Sequence, residues 1–321
     1  MKPRQLNLID NPIHATHEAL GLPPVEIGVA RDVAHPALRI ASGSALLLMA
    51  GNLAYLASRL LQRPDAAALV VAVLHSEAFW WAVGVGLIAQ AVSGALGMAY
   101  GVTSTSDLMA TGASPAAASA AVHIAEVFTT GVSGIAHSRL GHVDRSLILR
   151  LLVPGIAGAT LGAWLVSSVD AQVIKPFASA YLLVMGVHVL SKAFRTPRRT
   201  VKVPRHVAKL GLTGGFVDAA GGDGWGPVVT TTLVGSGCDP RRTIGSVNLA
   251  EFFLTFLTAG VFTMLVDETP WPLAAGVVVG GLSAAPLAAL MTRRVHARVL
   301  LILVGTVIAG VSSLNLWRAV A

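Results

Sequence analysis

Charged residues are scarce in this sequence. Asp, Glu, Lys and Arg account for 12% of its 321 residues, whereas soluble domains carry roughly 25%. Cysteine is almost missing, and because Cys238 is the single one, no internal disulfide is possible. The sequence also lacks a nucleophile, base and metal-ligand set at a fitting spacing, so we expect neither an enzyme nor a bound cofactor or metal. These shortages argue against an ordinary soluble domain.

The first 37 residues lack the apolar segment of a cleavable signal peptide. We expect residues 1–37 to form a loosely ordered cytoplasmic tail. The net charge of +7 does not indicate a nucleic-acid partner, because the basic residues lie in short loops between apolar runs and form no basic face. Their placement is typical of topology signals in a membrane protein.

Long apolar runs are abundant, and hydrophobic residues make up 54% of the chain. About twenty such residues span a bilayer as a helix. The sequence therefore predicts an all-α, multi-pass protein of the plasma (inner) membrane, with the lipid bilayer as its surroundings. The candidate spans are 40–58, 116–137, 151–167, 174–191, 243–265, 270–291 and 299–317.

The chain contains an internal repeat. With a constant offset of 125 residues, 97–130 align with 222–255 without a gap, and 11 of 34 positions are identical, including Gly, Pro, Glu and Thr. Such self-similarity predicts two related structural units. We divide the chain into the tail, an extra transmembrane helix with an interfacial segment (38–80), a first transport repeat (81–195), a basic cytoplasmic linker (196–205) and a second transport repeat (206–321).

Loop charges predict that the two repeats have opposite orientations. Lys and Arg mark the cytoplasmic side of a membrane protein. The loop 138–150 carries three arginines, whereas its partner 265–272 carries only acidic charges. The loop 168–173 has no arginine, whereas its partner 292–298 has three. Opposite bias in equivalent loops indicates an inverted repeat.

Each repeat is expected to contain a re-entrant broken-helix hairpin and three transmembrane helices. The linker and the turn at 239–242 are both basic, so 210–238 must enter and leave the membrane on the same side. The arms 210–221 and 227–237 span about 16–18 Å each as helices, roughly half of a ~30 Å hydrocarbon layer. The glycine-rich tip would then lie near the midplane, and by the repeat 85–111 forms the opposite hairpin.

Two tips that enter from opposite faces are expected to meet and to bind an anion. A helix start presents amide donors and a partial positive charge, so two converging starts suit an oxyanion without Lys or Arg. Pro227 is expected at a first helical position. Alternatively, the glycines only allow close helix packing, and the hydroxyls bond to carbonyls of their own helix. The candidate substrate ligands are Gly97, Tyr100, Gly101, Thr103, Ser104 and Thr105 in the first tip, and Gly222, Asp223, Gly224, Trp225, Gly226, Thr230 and Thr231 in the second.

Ionisable residues inside the membrane are candidates for coupling or gating. His123 and Glu126 lie on one helix face, and Asn248 and Glu251 occupy the equivalent positions of the second repeat. Because the glutamate occurs twice, we favour a structural role in which it accepts hydrogen bonds from the hairpin amides. His123 has no equivalent histidine, and this makes it the better candidate for a proton-dependent switch.

The motifs resemble a known family. The run "GALGMAYGVTSTSDLMATGASP", followed by "HIAEVFTTGVSGIAHSRLGHVD", is similar to the first half of the TauE/SafE sulfite-exporter family, also called the 4-toluene sulfonate uptake permease family. "GGDGWGPVVTTTLVGSGCDPRRTIGSVNLAEFF" is similar to its second half. The resemblance covers roughly 80–320. It implies a membrane carrier, an exporter, for sulfite, sulfonates or related sulfur-containing organic anions.

The sequence thus predicts a secondary transporter that works by alternating access, with a small anion held between the tips and protons as a candidate coupling ion. A homodimer is a candidate assembly. The alternative is a carrier or channel for another ion or solute, which would use the carboxylates of Glu126, Glu251 and Asp223 as ligands.

Overall fold

The computed structural model describes residues 36–62, 64–96, 99–139, 141–194, 206–222, 225–236, 238, 240–266, 271–294 and 297–320. All regular elements within these ranges are helical. The helices are α1 (Pro36–Leu61), α2 (Ala66–His75), α3 (Glu77–Leu96), α4 (Tyr100–Ala110), α5 (Pro115–Arg139), α6 (Arg145–Ser168), α7 (Ala171–Lys192), α8 (Val207–Gly221), a π-helix (Trp225–Thr230), α9 (Thr231–Gly235), α10 (Pro240–Leu265), α11 (Trp271–Arg294) and α12 (Ala297–Val320).

Each apolar run predicted from the sequence lies inside a helix, except that the run 270–291 starts one residue before α11. In the part of the chain that is described, four helices are long and apolar enough to cross a membrane: α6, α7, most of α10 and most of α12. The number becomes five if α2 and the start of α3, which are bent by 66° at Ser76, form one broken span. The predicted all-helical membrane architecture is confirmed.

Local chemistry explains several helix boundaries. Asp144 precedes α6, and its carboxylate accepts hydrogen bonds from the amides of Ser146 (2.8 Å) and Leu147 (3.2 Å). Asp170 caps α7 in the same way. Such caps satisfy amides that have no acceptor within the helix. Helices α5 and α10 both begin with proline, which needs no amide acceptor.

Helix boundaries repeat along the chain with the offset of 125 residues. The end of α3 maps onto the end of α8, and α4 maps onto the π-helix together with α9, from the first residue to the last. Helices α5, α6 and α7 map onto α10, α11 and α12 to within three residues at every end. The two stretches therefore share one order of helices.

Equivalent helices of the two repeats pack against each other and run in opposite directions. Along α5 and α10, Gly131 lies beside Phe252 and Gly134 lies beside Leu249. The same reversal holds for α7 and α12, where position 186 faces 309 and position 305 faces 190. The other two close pairs, α3 with α11 and α6 with α8, each join a helix of one repeat to a helix of the other. Because α3 is equivalent to α8 and α6 to α11, the two pairs are equivalent to each other.

Glycines allow the closest of these contacts, among them Gly155, Gly158 and Gly162 of α6. A Cβ on Gly158 would overlap the Leu212 carbonyl of α8, and one on Gly162 would overlap the Phe216 carbonyl. Small residues let membrane helices approach through their backbones. Helix α6 therefore lies directly against the arm that leads to the second tip.

Two details differ from the sequence predictions. Helix α3 begins at Glu77, before the predicted hairpin start at 85, and its 20 residues exceed half a bilayer. The start at 85 was transferred from the second repeat, whose equivalent helix α8 has only 15 residues. Pro227 is the third residue of the π-helix, because the return arm already begins at Trp225. The segment predicted as interfacial forms α2, which has no buried residue.

Candidate functional site

The two broken helices are interrupted at equivalent positions of the two repeats. Helix α3 ends at Leu96, and α4 begins at Tyr100 after Ala99, whose φ of 77° is uncommon for a residue with a Cβ. Helix α8 ends at Gly221 and is followed by Gly222, whose φ of 83° favours glycine. Three predicted site residues, Gly97, Asp223 and Gly224, lie outside the described residues.

The two tips contact each other in the interior. The Thr105 hydroxyl of α4 donates a hydrogen bond to the Gly222 carbonyl at the end of α8, with an Oγ1–O distance of 3.2 Å. A Cβ on Gly222 would overlap the Thr105 side chain. The structure therefore brings together one predicted site residue from each repeat, and only glycine fits at this point of the second tip.

The remaining hydroxyls of the tips divide into two groups. Thr103 and Thr231 bond to the carbonyls of Ala99 and Pro227 in their own helical turns, as the capping interpretation predicts. Ser104, on the first tip, is fully buried, and its Oγ has no hydrogen-bond partner among the described residues. Such a hydroxyl is costly unless something else satisfies it. The other site residues that are described, Gly101, Gly226 and Thr230, are buried.

Tyr100 and Trp225 anchor the tips in the surrounding helices. The Tyr100 hydroxyl donates to the Val277 carbonyl of α11 (3.3 Å), and the Trp225 indole Nε1 donates to the Val247 carbonyl of α10 (3.3 Å). The Trp225 ring fills a space in which a Cβ on Gly155 would overlap it. Both aromatic rings are buried against protein, so each fixes the first residue after a helix break.

His123 is buried at a contact between α5 and the second tip. Its Nε2 lies 3.1 Å from Oδ2 of Asp218 on α8, and both side chains are inaccessible to solvent. The other oxygen of Asp218, Oδ1, accepts a hydrogen bond from the Trp225 amide (3.0 Å). The ring of Phe262 on α10 lies against His123, with ring centroids 5.4 Å apart. A single carboxylate therefore links the histidine to the start of the return arm.

The sequence did not indicate this role for Asp218, because its partner His123 lies 95 residues away along the chain. No spacing rule connects two positions that only helix packing brings together. Helix α8 has no distinct polar face, so the spacing of its residues does not indicate which neighbour Asp218 contacts.

The other coupling candidates occupy separate places. Glu126 and Glu251 are both buried, with 2% and 7% of their surfaces exposed. Asn248 does not reproduce the contact of His123, because its Nδ2 donates to the Ser133 hydroxyl (2.6 Å). The predicted bonds from hairpin amides to the glutamates remain a prediction, whereas the Trp225 amide donates to Asp218. In the described part of the chain, no three His, Cys, Asp or Glu side chains group as metal ligands would.

A cavity of about 220 Å³ lies at one end of the helix bundle. It is lined by the first residues of α5 and α7 and by the last residues of α6 and α10, including Pro115 and Leu265. Pro115 is about two helical turns from His123 on α5, and Leu265 is one turn from Phe262 on α10. None of the predicted tip residues lines this cavity.

These features define a class of protein: a multi-pass helical membrane protein whose core is duplicated and whose two broken helices meet inside. Comparison with known proteins gives the family. The description "Sulfite exporter TauE/SafE" matches residues 82–315, and the chain belongs to this family of membrane transporters.

A curated relative supports the same assignment. The chain is 40% identical over 248 residues to "Probable membrane transporter protein YtnM" of Bacillus subtilis (strain 168), an alignment that covers 73% of this chain and 82% of the relative. No solved structure matches the chain significantly. The family match begins and ends within a few residues of the two repeats, so α1 and α2 lie outside it.

Proposed function

We propose that this protein is a secondary transporter for small sulfur-containing anions, such as sulfite or organic sulfonates, in the plasma membrane. The contact that carries the proposal is the hydrogen bond from Thr105 to the Gly222 carbonyl, because it joins the tips of two repeat-related broken helices. Membership of the sulfite exporter family supports the substrate class. Carriers built from repeats hold their substrates where discontinuous helices meet.

In this proposal the two repeats are inverted with respect to the membrane, and the broken helices are re-entrant hairpins. The antiparallel packing of α5 with α10 and of α7 with α12 supports the inversion, since equivalent helices related by an axis in the membrane plane run oppositely. The N-terminus is then cytoplasmic. Alternating access would arise from movement of one repeat against the other about the tip contact.

The start of α4 is the most favourable anion position. This helix has 11 residues, and its N-terminus carries a partial positive charge. Ser104 lies one turn into α4, buried, and presents the hydroxyl that finds no acceptor or donor among the described residues. An oxyanion is a ligand that accepts such a hydroxyl hydrogen. We therefore place a sulfonate or sulfite oxygen at Ser104.

The test is the flux of labelled 4-toluenesulfonate into proteoliposomes, with sulfite as a competitor and divalent metal ions as an alternative cargo. The expected result is saturable uptake that sulfite inhibits. Uptake of a metal ion without any sulfonate or sulfite transport would contradict the proposal and favour a cation carrier that uses the buried carboxylates.

Ser104→Ala tests the site itself. The hydroxyl makes no hydrogen bond within the described residues, so its removal should leave the melting temperature unchanged or slightly raised. Sulfonate affinity should fall roughly 10- to 100-fold, because a hydrogen bond to a charged group is worth about 1.5–3 kcal/mol. Ser179→Ala is the matched control. Ser179 on α7 is equally buried, and its hydroxyl also has no hydrogen-bond partner among the described residues. Equal affinities of both variants would remove Ser104 from the site.

A further inference from the structure

The hydrogen bonds around His123 determine how many protons the buried pair holds. Nδ1 lies 2.8 Å from the Ser119 backbone carbonyl, which only accepts, so Nδ1 carries a hydrogen. The Ser119 hydroxyl donates to the Ala219 carbonyl (2.8 Å) and therefore also acts as an acceptor towards Nδ1. The contact between Nε2 and Asp218 then needs a second hydrogen. The pair holds it either as imidazolium and carboxylate or as imidazole and carboxylic acid.

Loss of that second hydrogen would be unfavourable in a closed structure. It would leave an imidazole lone pair facing a carboxylate at 3.1 Å, in a place that solvent does not reach. The lone pair and the carboxylate oxygen repel each other, and burial disfavours the net negative charge of the deprotonated pair. Release of the proton therefore requires that water reach the pair or that the helices around it move. This requirement ties the proton to a conformational change.

The duplicated fold provides an internal comparison. With the offset of 125 residues, His123 corresponds to Asn248, and Asp218 corresponds to Ser93. The positions equivalent to the ionisable pair therefore hold an amide and a hydroxyl, and the amide of Asn248 donates to Ser133. A titratable pair is therefore not needed to keep a tip in place in this fold. The pair of His123 and Asp218 at the second tip needs an explanation other than stability.

We propose that His123 and Asp218 form the binding site for a proton that is carried together with the anion. This inference rests on the proposed function and deepens it. Asp218 contacts the second tip twice: its carboxylate accepts from the Trp225 amide, and its backbone carbonyl accepts from the Gly222 amide (2.8 Å). With its second hydrogen the pair has no net charge, and without it the pair carries one negative charge, so protonation removes a repulsion on an anion at the tips. By reciprocity the anion strengthens proton binding. Proton and anion therefore bind together and cross in the same direction.

Other titratable side chains lie on the helices that pack around the pair. Glu126 on α5 and Glu251 on α10 are buried acids, and each is an alternative site for the proton. The ring of Tyr181 on α7 lies against Gly221, close to the second tip. The remaining groups with described side chains on these helices are Tyr100, Asp107, His137, Arg139, Arg145, Arg150, Lys175, His188, Lys192, Lys209 and Arg242.

The cavity at the end of the bundle supplies an approach to the pair from one side. Leu265 on its wall is one turn beyond Phe262, whose ring lies against His123. Movement of α10 that displaces Phe262 would join the cavity to the imidazole. Protons would then enter from the cavity side and leave after the tips have opened to the opposite side.

Accumulation of 4-toluenesulfonate in proteoliposomes tests the inference. This strong acid stays ionised, so a proton that moves with it must travel on the protein. With the voltage clamped by potassium and valinomycin and the outside one pH unit more acidic, one-to-one symport of a monovalent anion predicts about tenfold accumulation, since one pH unit is worth 1.36 kcal/mol. Uncoupled transport predicts equal concentrations, and proton exchange predicts depletion. Either result in the wild type would overturn the inference, while uptake itself would still support the proposed function.

Asp218→Asn is the decisive variant. Its amide oxygen still accepts from the Trp225 amide and its nitrogen still donates to His123, so folding should survive while the proton site is lost. We expect no accumulation. Asp170→Asn is the matched control, since asparagine also caps α7, and should accumulate as the wild type does. Loss of accumulation in Glu126→Gln together with its retention in Asp218→Asn would assign the proton to Glu126 and overturn the inference.

The double substitution His123→Asn with Asp218→Ser gives each position the residue of the other repeat. A purely structural pair predicts that this variant accumulates the sulfonate as before, whereas we expect a concentration ratio of about one.

A substrate-independent readout is the infrared difference spectrum of the purified protein between acidic and alkaline pH. We expect imidazole and carboxyl bands that change together and that disappear in Asp218→Asn. Identical spectra of wild type and variant would overturn the inference even if 4-toluenesulfonate proved not to be a substrate.

Discussion

At the scale of single residues, the second tip depends on a glycine for two reasons. Gly222 has a φ of 83°, and a Cβ there would also overlap Thr105 of the other repeat. Gly112 has a φ of 100° but no atom near the position of a Cβ. A substitution at Gly112 therefore tests the left-handed backbone conformation alone, whereas one at Gly222 tests that conformation together with the tip contact.

We expect Gly112→Ala to cost about 1–2 kcal/mol, the usual penalty of the left-handed conformation, and to leave transport intact. Gly222→Ala should cost more and should abolish uptake, because the tips must separate. The measurements are melting temperature in detergent and sulfonate uptake. Equal behaviour of both variants would show that the contact between Thr105 and Gly222 does not matter for transport.

The site could be predicted from sequence only to the level of which segments meet. The glycines, hydroxyls and aromatic residues of "GGDGWGPVVTTTL" and its repeat indicated two broken helices. Which hydroxyl lacks a partner depends on side-chain direction, so Ser104 does not stand out from Thr103 in the sequence. The partner of His123 depends on packing between α5 and α8, which the sequence alone does not reveal.

At the scale of helices, the fold relies on close approach of backbones. Helices α6 and α8 touch through Gly155, Gly158 and Gly215. In a membrane such packing, and not a hydrophobic driving force between helices, holds the elements together. The arm that carries Asp218 and the second tip is therefore positioned by α6.

Gly158→Ala should force the Leu212 carbonyl of α8 away and lower the stability by about 1–3 kcal/mol, as overpacking does. A Cβ on Gly260 of α10 would have no atom within 4 Å, so Gly260→Ala should change the stability by less than about 0.5 kcal/mol. Thermal unfolding of both purified variants checks the difference. A stable Gly158→Ala protein would mean that α6 and α8 are not held in this close contact.

At the scale of the whole molecule, the sequence predicted the order of helices better than their lengths. The apolar runs and the 125-residue offset located the helices because hydrophobic length and repeat spacing are properties of the chain itself. The predicted start of the first hairpin at 85 was eight residues too late, because it was transferred from the second repeat, whose helix α8 is shorter than α3. The opposite membrane orientations that the loop charges predict stay a prediction, and equivalent helices of the two repeats pack antiparallel.

The central claim is that the two repeats are inserted in opposite orientations so that their tips meet. It is tested most directly by labelling single cysteines with a membrane-impermeant maleimide in right-side-out and inside-out vesicles. Cys238 is the only native cysteine, so Cys238→Ser gives the background. Ser146→Cys, at an exposed position in the first turn of α6, and Glu268→Cys, three residues before α11, place labels near the starts of equivalent helices of the two repeats. Labelling of position 146 only from the cytoplasmic side and of position 268 only from the outside is the predicted result, and labelling of both from the same side would contradict the account.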